Sequence, residues 1–206
     1  MVVQGRAEDF TVTRLNGHPA FAAADRVESE MLRAAGLDEE HRPSQDRLSP
    51  TTFHVAVDRS GRPVAAACST VGSLPELPIG LALRSVDIEV TDQEPVPGPV
   101  CELVSIAADR SAGGRGVTEA LYRSFYQQAR IDQARSLVVG VDPWLSDLLI
   151  EQYGVPFTIL GPSFELLGRE LLAIGGRLSH LEAGIAANAP EFFSFLRESD
   201  AHLNWR

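Results

Sequence analysis

The feature that most constrains this chain is a run of elements in its second half. Val100–Ala108 reads as a strand, Arg110–Gly116 as a glycine-rich turn, and Val117–Gln133 as an amphipathic helix. Ser136–Val141 then reads as a strand, Pro143–Tyr153 as a helix and Phe157–Leu160 as a strand, with Asp142 as an N-cap before a proline at the first helical position. Such an order, entered by a β-hairpin, defines an α/β or α+β fold: a central mixed twisted sheet flanked by helices on both faces.

The hairpin lies upstream, where Thr51–Asp58 and Pro63–Val71 bracket Arg59-Ser60-Gly61-Arg62. Before it come a first strand, Asp9–Leu15, and a helix over Ala20–Ala35, where Phe21, Ala24, Val27, Met31 and Ala35 recur at helical steps. Residues 37–50 are acidic, polar and punctuated by proline, a surface loop. Leu74-Pro75-Glu76-Leu77-Pro78 leads into a short helix through Leu83, Val86–Val90 reads as a strand, and three prolines crowd Glu94–Pro99. The tail carries a strand around Arg169–Ile174 and a short helix near Pro190–Arg197. With 206 residues, 44% hydrophobic and 22% charged, the expectation is one domain spanning 1–206, with no internal repeat.

Charge and residue usage remove several function classes. Eighteen basic against twenty-eight acidic residues give −10, a surface that repels nucleic-acid phosphates and anionic lipid, so neither partner is expected. All eighteen cations are arginine, so no lysine is present to form a Schiff base or to serve a phosphate loop. Cys68 and Cys101 form no CxxC, and the start MVVQGRAEDF has no apolar signal core, which reads as a reduced, cytoplasmic protein. The five histidines show no metal-ligand spacing, and no metal is expected.

The chemistry concentrates in Cys101–Thr118. A strand leading through glycines into a helix presents unpaired backbone N–H groups and the positive end of the helix dipole, which suit a phosphate or pyrophosphate. Gly113, Gly114 and Gly116 let that backbone come close, and Arg115 adds a charge. A purely structural turn is the plainer alternative.

This segment resembles the acyl-CoA-binding motif of the GCN5-related N-acetyltransferase superfamily, in which a bulged strand precedes a (Gln/Arg)-x-x-Gly-x-(Gly/Ala) loop. Here the register is Gly113-x-x-Gly116-Val117-Thr118, with the central glycine in place and the leading Gln/Arg absent. From Ala24 to about Ile185 the pattern is similar to the acyl-homoserine-lactone synthases and N-acyl amino acid synthases. The likeness rests on the acidic loop after the first helix, the Leu-Pro-rich insertion Ser73–Pro78, the strand Cys101-Glu102-Leu103-Val104-Ser105 and Gly161-Pro162. Two arginines of the lactone synthases are replaced by Ser69-Thr70 and by Ser105, and the position of the acetyltransferases' tyrosine acid holds Ile150.

The resemblance implies an N-acyltransferase moving an acyl group from a pantetheine thioester to a small-molecule amine, an amino acid among the options. No cofactor is held permanently. The donor is acyl-CoA or an acyl-phosphopantetheine on an acyl carrier protein, and a homodimer is kept as an option. Glu102, flanked by apolar residues, is the candidate base, acting directly or through water. Backbone N–H groups near Ser105 and Ile106, freed by a bulge, are candidates to bind the thioester or pantetheine. The donor set then continues through Ala107 and Ala108 to the glycine loop and on to Val117 and Thr118. Asp46 is a candidate to steer the acceptor, and Phe53 and Trp144 are candidates to line the substrate pocket. Each has a bland alternative: a solvated loop acid, a core aromatic and a packing residue. His54 reads as structural, and Cys101 as strand filler.

Residues 101–136 carry five arginines against four acids, +1, which leaves −11 for the rest. That region suits either the phosphates of coenzyme A or an acidic carrier protein docking on Arg123 and Arg130, and an Arg115-Glu119-Arg123 ladder would equally mark a solvated helix face. Two alternatives stay open: a catalytically silent acyl-CoA-binding module on the same fold, and another chemistry on a pantetheine-bound substrate.

Overall fold

The computed structural model describes residues 10–16, 29–30, 33, 51–90, 94–109, 116–166 and 169–198. Of the expected first helix, Ser29, Glu30 and Arg33 are described and are helical, while the acidic loop 37–50 lies outside the described residues. The strands are β1 (Thr11–Asn16), β2 (Thr51–Val57), β3 (Pro63–Gly72), β4 (Val100–Ala108), β5 (Ser136–Val141), β6 (Thr158–Ile159), β7 (Phe164–Leu166) and β8 (Arg169–Arg177). The helices are α1 (Pro78–Ser85), α2 (Val117–Ile131), α3 (Pro143–Tyr153), α4 (Leu178–Asn188) and α5 (Pro190–Arg197). The sheet runs β1-β2-β3-β4-β5-β8-β6, with β7 on β8. Among the described residues only β4 and β5 pair in parallel, so the sheet is mixed, as expected.

Strand alternation sends the core to both faces. Cys101 and Leu103 pack with Leu121, Phe125 and Ala129 of α2 and with Leu178 and Leu181 of α4. Val100 and Val138 point the other way, onto Leu77, Ile79 and Leu83 around α1. The β2–β3 hairpin turns where the Asp58 carboxylate accepts the Ser60 and Arg62 N–H groups at 2.9 and 3.1 Å, with Gly61 at φ 80°.

Three expectations are corrected. Val86–Val90 is not a strand: Asp87 adopts φ 59° and the Ile88 N–H bonds back to the Leu83 carbonyl at 3.1 Å, so the chain closes α1 as a turn. Asp142 is the N-cap of α3 before Pro143, as expected, but its side chain pairs with Arg169 rather than capping, and its backbone carbonyl takes the Leu145 and Ser146 N–H groups. The tail strand extends to Arg177, and α4 follows it directly, an element that the sequence pattern does not announce.

A buried polar network ties β1, β2 and β3 to α2. His54 Nδ1 lies 2.8 Å from Ser124 Oγ and His54 Nε2 lies 2.9 Å from Ser69 Oγ. Arg14 Nε donates to Ser124 Oγ at 3.0 Å, and Arg14 also bonds Gln127. Burial, and then the Arg14 charge, pull His54 from 6.5 down to about 3, which bears out its structural reading. Unfolded, the imidazole takes its proton near pH 6.5; folded, it stays neutral. Its contribution is therefore intact above 6.5 and lost as pH falls toward 3, about 2 kcal/mol of it by pH 5. Urea unfolding of wild type and His54→Asn at pH 7 and 5 checks this: the wild type should lose more stability over that interval, and equal losses would contradict it.

Among the described residues no helix is long and apolar enough to cross a membrane, and no group of three or more metal-ligating side chains is assembled.

Candidate active site

β4 and β5 stay paired only from Val100–Ser136 to Leu103–Val139. Past that point β4 follows β3 to Ala108 and β5 follows β8 to Val141, so the parallel strands part. A β-bulge sits where they separate: Cys68 faces Ser105 and Ser69 faces Leu103, which leaves Val104 unmatched. The Asp109 N–H bonds the Val64 carbonyl at 2.8 Å. By antiparallel alternation the backbone groups of Ala107 and Ser105 then turn toward β3, and those of Ile106 and Ala108 toward the gap. The N–H groups facing the gap are therefore those of Ile106 and Ala108, while those of the expected Ser105 and Ala107 face β3 instead.

Gly116 stands at the N-cap of α2 with φ 76°, a left-handed conformation that favours glycine. Gly113, Gly114 and Arg115 lie outside the described residues. Val117 is fully buried in the core, so its side chain cannot touch a ligand, whereas Thr118 is half-buried in the first turn.

Behind the gap, on the α2 face, lies a cavity of ≈ 120 Å³. Ile106 of β4, Val139 and Val141 of β5, Tyr122 of α2 and Leu145 and Leu149 of α3 line it near the parted strands. Phe53 and Trp144 do not line this cavity. Phe53 is buried with Val55 and Cys68 on the opposite face of the sheet, and Trp144 is 64% exposed at the start of α3. Asp46 lies outside the described residues.

Glu102 and Ser105 occupy that opposite face. Leu15, Phe53, Cys68 and Ser105 form one row across four strands, and Thr70, two residues on from Cys68, faces Glu102. Glu102 is buried, and the Ile79 N–H lies 3.1 Å from each of its carboxylate oxygens. Pro78 at the first helical position has no N–H, which leaves Ile79 to offer the first donor of α1. Gly80 permits this fit, because a Cβ there would stand 1.9 Å from the Leu74 carbonyl oxygen. Burial drives the Glu102 carboxyl from 4.5 up to about 8, with the Ile79 N–H pulling the other way. Sequence reasoning found Glu102 but not Ile79 or Gly80, which lie more than twenty residues upstream.

Ser105 Oγ is buried with no hydrogen-bond partner among the described residues. An unsatisfied hydroxyl costs the folded state, so Ser105→Ala should leave stability unchanged or raise it by about 1 kcal/mol. If the hydroxyl serves a substrate, the same variant should raise KM; chemical denaturation and steady-state kinetics on one preparation read both effects.

Other expected residues are engaged elsewhere. The Arg123 guanidinium lies 4.5 Å from the Phe195 ring centroid, and Arg130, exposed as expected, pairs with Glu182 at 2.9 Å. Tyr153 donates its hydroxyl to Glu119 at 3.2 Å and packs on Phe192, while Ile150 is 46% exposed. Cys101 is buried, and burial pushes its thiol well above the ordinary range, as befits strand filler.

No protein-family profile and no curated protein sequence matches this chain. Solved structures do. FeeM, an N-acyl amino acid synthase from uncultured soil microbes, is 14% identical over 85% of this chain and 95% of its own, with a TM-score of 0.58. BjaI, a CoA-dependent acyl-homoserine lactone synthase solved with SAM and isopentyl-CoA, is 12% identical over 86% and 88%, with a TM-score of 0.58. A histone acetyltransferase HPA2 and related acetyltransferase from Corynebacterium glutamicum ATCC 13032 is 19% identical over 81% and 96%, with a TM-score of 0.50. The architecture is thus the one shared by acetyltransferases and acyl synthases. This chain has the GCN5-related N-acetyltransferase fold.

Proposed function

We propose that the chain is an N-acyltransferase that carries an acyl group from a pantetheine thioester to the amine of a small molecule. The observation that carries this reading is the gap between β4 and β5, with an apolar cavity on one face and, one residue short of it, a buried Glu102 on the other. Pantetheine lies along the open edge of β4, bonded to Ile106 and Ala108, and the acyl chain enters the cavity. A dry apolar cavity on the order of 150 Å³ holds benzene, so one of ≈ 120 Å³ suits a chain of roughly five carbons.

The acceptor approaches from the Glu102 face. Its ammonium proton passes to the Glu102 carboxylate, directly or through water, and the amine nitrogen bonds to the thioester carbon. The C–S bond then breaks, and the thiolate leaves without needing an acid, since a thiol pKa is about 8.5; it takes up the second proton shed by the acylated nitrogen, while Glu102 returns its own to solvent. The products are an amide and a free thiol. Coenzyme A is the favoured donor, because Arg123 and Arg130 are already occupied. An amino acid acceptor accords with the likeness to FeeM. The exposed Ile150, where acetyltransferases place a tyrosine, favours a second reading, a silent thioester-binding module.

A turnover screen separates them. Acyl thioesters of coenzyme A, pantetheine and a carrier protein, from two to twelve carbons, are offered against amines and amino acids while thiol release and product mass are followed. Equal amounts of thiol and amide, greatest near five carbons, are expected. Saturable thioester binding without thiol release would make the chain a binding module.

A further inference from the structure

At the deep end of the cavity two polar side chains stand among Leu137, Leu178 and Leu181. Because β4 and β5 are parallel, α2 returns antiparallel to them, so Tyr122 stands at the level of the parted strands and Tyr126 one turn deeper. α4 begins at the same depth, since Arg177, just before it, pairs with Ser136 at the closed end of β5. Tyr126 and Glu182 both line the cavity there. The Tyr126 hydroxyl donates to Glu182 Oε1 at 2.7 Å, and that same oxygen accepts from Arg130 at 2.9 Å. Arg130 is 58% exposed and outside the wall, so the three side chains span from the apolar interior to solvent.

An apolar chain growing into this wall meets a hydroxyl and a carboxylate that are already satisfied. Advancing further would separate them and leave buried polar groups without partners, a loss no added methylene offsets. We infer that Tyr126, Glu182 and Arg130 form a latch between α2 and α4 that fixes the length of the acyl chain, and that opening it lengthens the cavity to accept longer chains. The inference rests on the acyl-chain reading of the cavity given above.

The test is calorimetric binding of S-alkyl pantetheines from ethyl to dodecyl, a series independent of turnover and of the donor's carrier. Wild type should gain about fourfold in affinity per methylene up to about five carbons and then stop gaining. Glu182→Ala and Tyr126→Leu, each checked for folding by circular dichroism, should carry the rise at least two carbons further, so that the heptyl ligand gains roughly tenfold or more over wild type. Tyr126 is a core residue, and half-buried Glu182 supplies the variant less prone to unfold. A break at the same length in the folded variants would overturn the latch alone. No dependence on chain length in wild type would overturn the acyl-cavity reading and the latch with it.

Discussion

Replacing Glu102 with glutamine should lower turnover by about 10²–10⁴-fold while donor affinity stays unchanged, because the substitution removes the proton acceptor and keeps the side chain's shape. The pH profile gives the sharper signature. With the carboxyl near 8, about a tenth of wild-type molecules hold the ionised base at pH 7. The rate should therefore climb about tenfold per pH unit below 8 and level off above it, and in Glu102→Gln that climb should vanish. Stability should move the opposite way. Folded Glu102 holds its proton up to about 8, whereas the unfolded chain releases it near 4.5. The native state thus loses this contribution as pH rises from 4.5 through 8, by up to a few kcal/mol. Glutamine cannot ionise, so the variant should be the more stable protein at pH 9 and the poorer catalyst at pH 7 and above. Turnover within a few-fold of wild type would assign the proton to water or another group.

Gly116→Val should abolish the phosphate-dependent part of donor binding. The residue sits at φ 76°, where a β-branched side chain is strained by on the order of 1–3 kcal/mol, and the loop relieves that strain by moving its N–H groups. Charge-assisted hydrogen bonds are worth about 1.5–3 kcal/mol each, so affinity for an S-alkyl coenzyme A should fall about 10- to 150-fold. The matching S-alkyl pantetheine has no pyrophosphate and should bind as before. Equal losses for both ligands would point to damage in the shared pantetheine groove, and unchanged affinity for both would remove the phosphate from this loop.

The elements legible in the sequence were those with strong periodicity and clear punctuation. The hairpin announced itself through Asp58 and Gly61, and β4, β5 and α3 match their expected bounds residue for residue. By contrast α4, LSHLEAGIAAN, follows β8 without a capping residue or breaker and has no marked polar face, so nothing local separates strand from helix. Val86–Val90 carries β-branched residues, yet the turn at Asp87 decides its conformation. The site divided in the same way. Glu102 could be singled out because its neighbours are apolar, but its environment comes from Ile79, which only the packing of α1 brings near. The cavity wall is gathered from β4, β5 and α2 through α5, one or a few residues at a time. Aromatic content alone could not say that Phe53 faces away from it or that Trp144 stays outside.

The most direct measurement of the central claim is the structure of the chain bound to S-pentyl coenzyme A. Pantetheine should lie in the gap, bonded to the backbone of Ile106 and Ala108, with the pentyl chain between Tyr122 and Val139 and the sulfur facing Glu102 through the parted strands. Pantetheine bound away from that gap, or a pentyl chain lying outside the cavity, would contradict the account.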